Sequence, residues 1–292
     1  MIFLFFSILE GDFQNLIQDA RNFGICGVSS SIPGSPFDNP SFSSINISSI
    51  GIDGGYIFGG LATVLTLKGS INKGVSGYGF LFFNHMIPGI PDTRNALVDL
   101  NGNGEFDEGE YLDTSKIVMS NAFQNLFLFN ISKKSGSLSY GINLKIFYEN
   151  IMGERGIGGG IDLGGIYKNK DISFGLVLKD ITSSMIIWEK TKDRISPSIV
   201  LGGSYRIEKN DFGFLPCFDF IIDETGFFSL FGIEISYKDM VMFSSGMKKG
   251  GFSFGSGFLV KDYRLNYSLA IDIENDFPIT HRFTISKCFY KE

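Results

Sequence analysis

Residues 263–274 read Tyr-Arg-Leu-Asn-Tyr-Ser-Leu-Ala-Ile-Asp-Ile-Glu, and this stretch decides the fold class of the chain. Every odd position from Tyr263 to Ile273 carries a large apolar side chain, and every even position from Arg264 to Glu274 carries a polar or small one. A period of two predicts a β-strand whose two faces meet different environments. An amphipathic helix is excluded, because its apolar residues would recur at a period of about 3.6.

The same alternation recurs at a similar length through most of the chain. It is clear in segments 140–149, 172–179 and 198–207. Long, repeated, two-faced strands predict an all-β fold, a transmembrane antiparallel β-barrel of about 14 strands, and an even number is typical of bacterial single-chain barrels. The predicted strands cover residues 44–53, 57–67, 73–84, 116–130, 136–149, 156–168, 171–181, 196–207, 213–223, 227–238, 240–248, 251–262, 263–274 and 278–289.

The composition agrees with a barrel and excludes some other classes. The 292 residues include 37 Gly and 31 Phe, although Gly is normally depleted in strands. In a barrel, aromatic side chains cover the lipid face and Gly relieves crowding at the wall. No apolar run reaches the roughly 18 residues of a transmembrane helix. The net charge of −6 and the lack of a basic stripe argue against nucleic acid as a partner.

The first 43 residues differ from the rest of the chain. Residues 1–10 are nearly all apolar and are interpreted as the remnant of a signal peptide, although they lack a basic start and a cleavage site. A buried strand or helix start is the alternative. Residues 11–43 combine helical spacing over Phe13–Phe23 with a Gly/Ser/Pro-rich stretch. They are therefore predicted to form a separate N-terminal segment, followed by a barrel over residues 44–292.

Loop lengths give the barrel a predicted orientation. The two longest connections, residues 85–115 and 182–195, both follow odd-numbered strands. If the first strand starts at the periplasm, both loops lie outside the cell and the short turns lie inside. This distribution is typical of outer-membrane barrels.

A twelve-residue motif inside the first long loop predicts a calcium site. Residues 99–110 match the pattern D-x-[DN]-x-[DN]-G-x5-E of calcium loops, with Gly104 at the sharp turn. A structural Ca²⁺ would stiffen the loop, whereas the alternative is a polar surface turn that never meets metal. The predicted metal ligands are Asp99, Asn101, Asn103, Glu105 (through its carbonyl), Asp107 and Glu110.

Residues for catalysis are scarce, and we predict that the protein is not an enzyme. His85 and His281 are the only histidines, which leaves few options for a Ser/His/Asp site. The run Gly156–Gly160 enters a predicted strand rather than a helix, so it is not a nucleotide-binding loop. No catalytic residue is assigned.

Several segments resemble the PorV/PorQ family of outer-membrane proteins, which belongs with the FadL-like fatty-acid channels. The entry Asp19–Val28, leading to Asp38-Asn39-Pro40-Ser41, resembles the start of these proteins. Residues 158–164, 174–181 and 198–206 resemble strands in the middle of the family's barrel. The likeness extends over nearly the whole chain in short motifs.

The resemblance implies a 14-stranded barrel with its N-terminal segment folded inside the lumen as a hatch, and Asn39 and Pro40 would form the hatch's lumenal turn. It implies transport of hydrophobic compounds or service as a type IX secretion component, in the outer membrane of a diderm bacterium. Expected partners are outer-membrane lipid and either hydrophobic small molecules or secretion-system proteins. The alternative function is that of a soluble, secreted, calcium-stabilised β protein for surface adhesion.

Overall fold

The structure is a computed structural model, and it describes residues 12–273 and 278–290. Nineteen strands alternate along this part of the chain with short 3-10 turns and one short helix, α1 (Ala20–Phe23). The strands are β1 (Ser48–Ile57), β2 (Ala62–Asn72), β3 (Ser76–Asp92), β4 (Leu97–Val98), β5 (Tyr111–Leu112), β6 (Val118–Ser135), β7 (Leu138–Ile151), β8 (Glu154–Asn169), β9 (Ile172–Lys179), β10 (Met185–Ile187), β11 (Lys192–Arg194), β12 (Ser198–Tyr205), β13 (Ile207–Lys209), β14 (Phe212–Asp223), β15 (Gly226–Tyr237), β16 (Val241–Lys248), β17 (Gly251–Val260), β18 (Tyr263–Asp272) and β19 (Thr280–Phe289).

Seventeen of these strands form one antiparallel sheet that closes on itself. Adjacent strands of the sheet pair antiparallel, and β19 pairs with β1 from Ser48 opposite Phe289 to Tyr56 opposite His281. β9 and β10 both pair with β8 and form one interrupted strand. β11, β12 and β13 form the next strand in the same way, so the wall has fourteen strands. The predicted all-β barrel is confirmed.

Side chains along each strand alternate between the outer face and the lumen of the barrel, as the period of two predicts. On β7, Ile142, Leu144 and Ile146 face outward and are exposed, whereas Asn143 and Lys145 face inward and are buried. On β18, the even residues Asn266 and Ser268 are buried inside in the same way. A protein that crosses the hydrocarbon core of a membrane needs an apolar outer surface and a closed sheet in which every backbone N–H and C=O group is paired. The chain is therefore an outer-membrane β-barrel.

No helix in the described part of the chain has the length and the apolar character needed to cross a membrane. The helical spacing predicted over Phe13–Phe23 is interrupted. The chain forms a 3-10 turn at Asp12–Leu16, passes through extended backbone at Asp19, and then makes α1. The Asp19 carboxylate caps this helix by accepting a hydrogen bond from the Asn22 N–H at 3.0 Å.

Some predicted boundaries were wrong by several residues. β1 begins at Ser48 rather than at residue 44, because residues 42–44 form a 3-10 turn inside the barrel. β3 continues to Asp92, so the first long loop is shorter than predicted and contains the small hairpin β4–β5. The second predicted loop contains β10 and β11, which extend the barrel wall.

The two rims of the barrel differ in the length of their connections. On one rim, the turns after β2, β6, β8, β13, β15 and β17 have two or three residues. On the other rim, residues 93–117 and 180–197 form the long connections. Long loops mark the extracellular rim of outer-membrane barrels.

Residues 12–47 lie inside the barrel and form the hatch. Phe13, Ile17, Ala20, Ile25 and other apolar side chains of this segment are buried within the lumen. Polar groups of the hatch form hydrogen bonds with strands around almost the whole circumference, from Lys68 on β2 to Thr284 on β19. The predicted hatch inside the lumen is thus present.

Inward-facing glycines let the hatch backbone touch the wall. A methyl group on Gly175 would overlap the Ser30 carbonyl, and one on Gly141 would overlap the Pro40 carbonyl. These contacts explain part of the high glycine content, because any side chain at such a position would push the hatch away. Equivalent contacts to hatch backbone occur at Gly77, Gly164, Gly246 and Gly255.

Two neighbouring glycines on β8 provide a matched test of this packing. A methyl group on Gly164 would lie 2.5 Å from Asn39 Oδ1 and would overlap Pro40, whereas one on Gly165 would meet only the Ser139 carbonyl at 3.6 Å. We expect Gly164→Ala to lower the free energy of unfolding by about 1–3 kcal/mol through overpacking, and Gly165→Ala to change it little. Urea unfolding in detergent micelles measures the difference.

Limited trypsin digestion gives a second measurement, because Arg21 is the only Lys or Arg within residues 12–47. We expect faster cleavage at Arg21 in Gly164→Ala than in Gly165→Ala. Equal cleavage rates and equal stability for the two variants would contradict the packing argument.

Candidate functional site

The hatch is fastened to the wall by ion pairs that lie inside the lumen. Arg21 of α1 donates two hydrogen bonds to Glu234 on β15, from Nε to Oε2 at 2.7 Å and from Nη2 to Oε1 at 2.9 Å. Lys68 Nζ on β2 lies 2.7 Å from Asp19 Oδ2. These two pairs join the first turn of α1 to two separate strands of the wall, β15 and β2.

A further buried pair supports the backbone of the hatch. Arg282 on β19 is fully buried, and its Nη1 donates to Asp53 Oδ1 on β1 at 3.0 Å. Its Nη2 donates to the Leu16 carbonyl. The Thr284 hydroxyl donates to Asp53 at 2.7 Å and accepts from the Ala20 N–H at 2.8 Å. The pair thus sits at the barrel's closing seam and binds the hatch there.

The opposite wall carries a third buried cluster. Lys145 Nζ on β7 lies 2.7 Å from Asp162 Oδ1 and 2.6 Å from Asp180 Oδ1. The same Nζ donates to Gln14 Oε1 of the hatch at 2.9 Å. Lys145 therefore has two carboxylate partners and a further hydrogen bond, and these contacts offset part of the cost of burying the charges.

Two carboxylates of the hatch respond differently to burial. Burial alone would raise the pKa of Asp19, but Lys68 and the Asn22 N–H outweigh it, and the pKa is lowered to about 2. Burial raises the pKa of Asp38 to about 6, and the nearby Asp19 carboxylate adds to this shift. Asp38 Oδ2 accepts hydrogen bonds only from Ser35 among the described residues, at 2.6 Å from N and 2.9 Å from Oγ.

A cluster of buried apolar side chains lies in the extracellular half of the lumen, and we call it the apolar chamber. The Phe13 ring of the hatch stacks on Phe83 with 6.2 Å between centroids and meets Phe147 edge-on at 6.0 Å. Trp188 packs against the same cluster from the extracellular side. The buried wall residues of the chamber are Ile57, Ala62, Val64, Leu81, Phe83, Ile87, Ala122, Leu126, Leu128, Phe147 and Ile186.

The periplasmic half of the lumen is polar and contains a cavity of about 430 Å³. Arg264, at an even and therefore inward-facing position of β18, lines this cavity together with Arg206 and Asp239. The ion pairs Arg21–Glu234 and Lys68–Asp19 line the cavity on the side of the hatch. The hatch therefore separates an apolar chamber from a charged vestibule.

A hollow of about 770 Å³ lies on the outer wall next to the seam. At its centre is Gly54 on β1, which faces outward between Leu65 on β2 and Phe283 on β19. A methyl group on Gly54 would meet only the Val64 carbonyl, at 3.8 Å, so the missing side chain leaves a depression in the lipid-facing surface.

The predicted calcium residues form a self-contained loop between β4 and β5. Asp99 accepts hydrogen bonds from the N–H groups of Gly102 and Gly104, the latter at 2.8 Å. Asp107 Oδ2 accepts from the side-chain amides of Asn101 at 2.6 Å and Asn103 at 2.7 Å.

Glu110 closes the loop by accepting from the N–H groups of Leu100 at 2.9 Å and Asp107 at 3.0 Å. Glu105 donates its N–H to Asn103 Oδ1 at 2.7 Å. Within residues 12–273 and 278–290, no three His, Cys, Asp or Glu side chains are grouped closely enough to hold a metal ion.

The predicted hatch turn lies deep in the lumen. Asn39 donates to the Ser30 carbonyl at 2.8 Å and to the Gly165 carbonyl on β8 at 3.1 Å. The Pro40 carbonyl accepts from Asn130 on β6 at 2.8 Å. These two residues therefore join the hatch to two separate strands of the wall.

The two histidines lie on opposite faces of the wall. His281 faces outward, and its Nδ1 lies 2.9 Å from the Tyr267 hydroxyl. His85 faces inward and is buried in the apolar chamber. Trp188, between β10 and β11, contacts this chamber.

Sequence patterns missed the inward charges that anchor the hatch. Glu234, Lys145 and Arg282 occupy ordinary polar positions in alternating strands, and their partners are up to 266 residues away in the chain. The signal that could have singled them out is charge at inward positions near the middle of a strand, where a narrow barrel has little water.

No protein-family model matches the chain, and no curated protein matches it in sequence. Solved structures do share its fold. The toluene transporter TodX of Pseudomonas putida aligns with a TM-score of 0.67 at 11% identity, over 94% of this chain and 99% of that one. The toluene transporter TbuX of Ralstonia pickettii aligns with a TM-score of 0.56 at 10% identity, over 93% and 98%.

A FadL homologue of Pseudomonas aeruginosa also aligns with a TM-score of 0.56, at 9% identity, over 94% of this chain and 98% of that one. Over more than nine tenths of its length, the chain thus has the barrel fold of FadL-type proteins. These identities are all close to a tenth, so the likeness concerns the fold.

The raised pKa of Asp38 predicts a pH-dependent gain from Asp38→Asn. A raised pKa stabilises the folded state below the unfolded value of 3.8, and this contribution is lost as the pH rises through about 6. At pH 8 we expect Asp38→Asn to raise the free energy of unfolding by up to about 3 kcal/mol, because the pKa of Asp38 is raised from 3.8 to about 6. At pH 3.5 the gain should largely disappear.

Urea titration followed by Trp188 fluorescence measures this effect at each pH. The control is Asp262→Asn in the exposed turn after β17, which should leave stability unchanged at both pH values. An equal gain from Asp38→Asn at pH 3.5 and pH 8 would refute the titration argument.

Proposed function

We propose that this protein admits small hydrophobic compounds through the outer membrane. The observation that carries the proposal is the apolar chamber in the extracellular half of the lumen, formed by the buried cluster around Phe83, Leu126 and Phe147. The interior of an outer-membrane barrel is ordinarily polar, because it faces water. An apolar lining favours compounds that leave water for hydrocarbon-like surroundings.

The lumen offers three environments in succession from the extracellular rim to the periplasmic rim. Compounds meet the apolar chamber first, then the hatch, and finally the charged vestibule with its cavity of about 430 Å³. The hatch contacts strands around the wall, so passage requires movement of the hatch or departure through the wall. The outer hollow at Gly54 lies where the wall carries no outward side chain.

The comparisons agree with this class of function. TodX and TbuX are described as toluene transporters, and TodX also as a monoaromatic hydrocarbon channel. None of the three similar structures is described as an enzyme. This favours a role in transport rather than catalysis, and it does not favour the soluble adhesion protein.

Uptake by whole cells tests the proposal. The protein is expressed in a bacterial host whose outer membrane contains lipopolysaccharide and lacks channels for hydrophobic compounds. We expect faster uptake of radiolabelled toluene and unchanged uptake of radiolabelled sucrose. Equal uptake of toluene with and without the protein, or equal acceleration of both solutes, would contradict it.

A disulfide lock tests whether the hatch must move. Cys26 Sγ of the hatch lies 3.2 Å from Ser253 Oγ on β17, so Ser253→Cys places a second thiol beside it. Under oxidising conditions we expect uptake to fall to the level of the empty host, and reductant should restore it. Ser253→Ala is the control, because it cannot form the cross-link. Full uptake by the oxidised variant would mean that compounds pass a stationary hatch.

Assistance to type IX secretion, as the PorV/PorQ resemblance implies, stays a prediction. It requires partner proteins at the extracellular rim, where residues 93–117 and 180–197 lie. Co-purification of the barrel with secreted cargo from its native membrane would support it.

We further propose that the loop between β4 and β5 binds Ca²⁺ as a structural ion. Asp107 already lies within 2.7 Å of both asparagine side chains, and Asp99 and Glu110 fold the two ends of the loop inward. Carboxylate and amide oxygens are the ligands that Ca²⁺ prefers. The two asparagine amides would turn so that oxygen rather than nitrogen faces the ion.

Replacement of both end residues tests the calcium site. We expect Asp99→Ala combined with Glu110→Ala to abolish calcium binding in isothermal titration calorimetry, because both ends of the ligand set are lost. The control is Asp113→Ala, just beyond the motif, which should bind like the unmodified protein. An unchanged titration in the double variant would refute the site.

A further inference from the structure

Three inward-facing polar residues form a row across the apolar chamber. His85 on β3, Gln124 on β6 and Glu149 on β7 lie directly opposite one another in the strand ladders. All three are buried, with 1% of each residue exposed. The inward neighbours two positions away are apolar, namely Phe83, Ile87, Ala122, Leu126, Phe147 and Ile151.

The hydrogen bonds of Gln124 fix the protons of this row. Its amide nitrogen donates to Glu149 Oε2 at 3.1 Å, so its amide oxygen is the atom that lies 2.9 Å from His85 Nδ1. An amide oxygen only accepts. The Nδ1 of His85 therefore carries a proton, and Nε2 of the neutral ring is an acceptor.

Two acceptors of the row have no hydrogen-bond partner in the part of the chain that the structure describes. His85 Nε2 and Glu149 Oε1 are buried and make no hydrogen bond to any described residue. Buried polar atoms are nearly always paired, since an unpaired one lowers stability. Two such atoms at the two ends of one row, surrounded by apolar side chains, mark a place for a hydrogen-bonding group of a ligand.

We propose that the chamber binds apolar molecules that carry a hydroxyl group, such as alicyclic alcohols and phenols. The hydroxyl donates to His85 Nε2 or to Glu149 Oε1, while the hydrocarbon body packs on Phe83 and Phe147 in place of the Phe13 ring. A hydroxyl can also accept, so it pairs with Glu149 in either protonation state. A carboxylate has no proton to donate to His85 Nε2, and it is repelled by Glu149 when that residue is ionised. This inference rests on the proposed function.

Trp188 reports on binding at this row. Gly156 lies opposite Glu149 in the β7–β8 ladder, and a methyl group on it would lie 2.9 Å from the Trp188 ring. The chain has a single tryptophan, so its fluorescence has one source. Cyclohexanol, methylcyclohexane and cyclohexanecarboxylate are similar in size and do not absorb where tryptophan does.

The test titrates each of these three probes into the full-length protein in lipid nanodiscs and follows Trp188 emission. We expect cyclohexanol to half-saturate the signal at a concentration about tenfold lower than methylcyclohexane, the effect of one buried hydrogen bond, and cyclohexanecarboxylate to bind most weakly. In His85→Phe and in Glu149→Met the preference for cyclohexanol should shrink or vanish, while methylcyclohexane binding remains.

The matched control is Asn84→Leu, one residue from His85 but facing the lipid. It also removes a side-chain hydrogen bond, from Asn84 Nδ2 to Asn125 Oδ1 at 2.8 Å, and should keep the full preference.

Equal binding of cyclohexanol and methylcyclohexane by the unmodified protein would overturn the inference and leave the proposed function standing. An undiminished preference in both His85→Phe and Glu149→Met would also overturn it. No response to any probe would count against the proposed function itself. If both variants fail to fold, the comparison of the three probes on the unmodified protein decides alone.

Discussion

A backbone that crosses hydrocarbon has to pair every N–H and C=O within the protein, and the pairing of β1 with β19 meets this requirement here. Without that seam the sheet would have two edges in lipid. Closure also fixes the rest of the design. A ring of fourteen strands is too narrow to leave its interior to bulk water alone, so inward side chains must find partners across the lumen.

The hatch supplies those partners. Glu234, Lys68 and Arg282 are charged side chains that face a confined lumen, and each has a partner in the hatch. The partners are Arg21 for Glu234, Asp19 for Lys68 and the Leu16 carbonyl for Arg282. The glycines of the wall allow the same segment to approach closely enough for these bonds to form. Wall and hatch thus depend on each other, and both halves of the lumen take their character from where the hatch lies.

Alternation alone was enough to predict the barrel, the strand number and the lipid-facing side chains, because these depend on a local period of two. Strand ends were harder to predict. β1 starts four residues later than the alternation suggested, since Ser44 and its neighbours form a 3-10 turn of the hatch and do not pair with β19. The polar row His85–Gln124–Glu149 could not be predicted, because it exists only through a register that joins three strands across 64 residues.

The position of the hatch in the chain has a consequence for assembly. Residues 12–47 precede all the strands that surround them, and the seam joins Ser48 to Phe289 at the far end of the sequence. Ring closure therefore brings together the most distant parts of the chain, a slow step for any polymer. The inward contacts of the hatch are available earlier, since Lys68 lies on the second strand made. The segment can thus act as a template on which successive hairpins collect before the last strand meets the first.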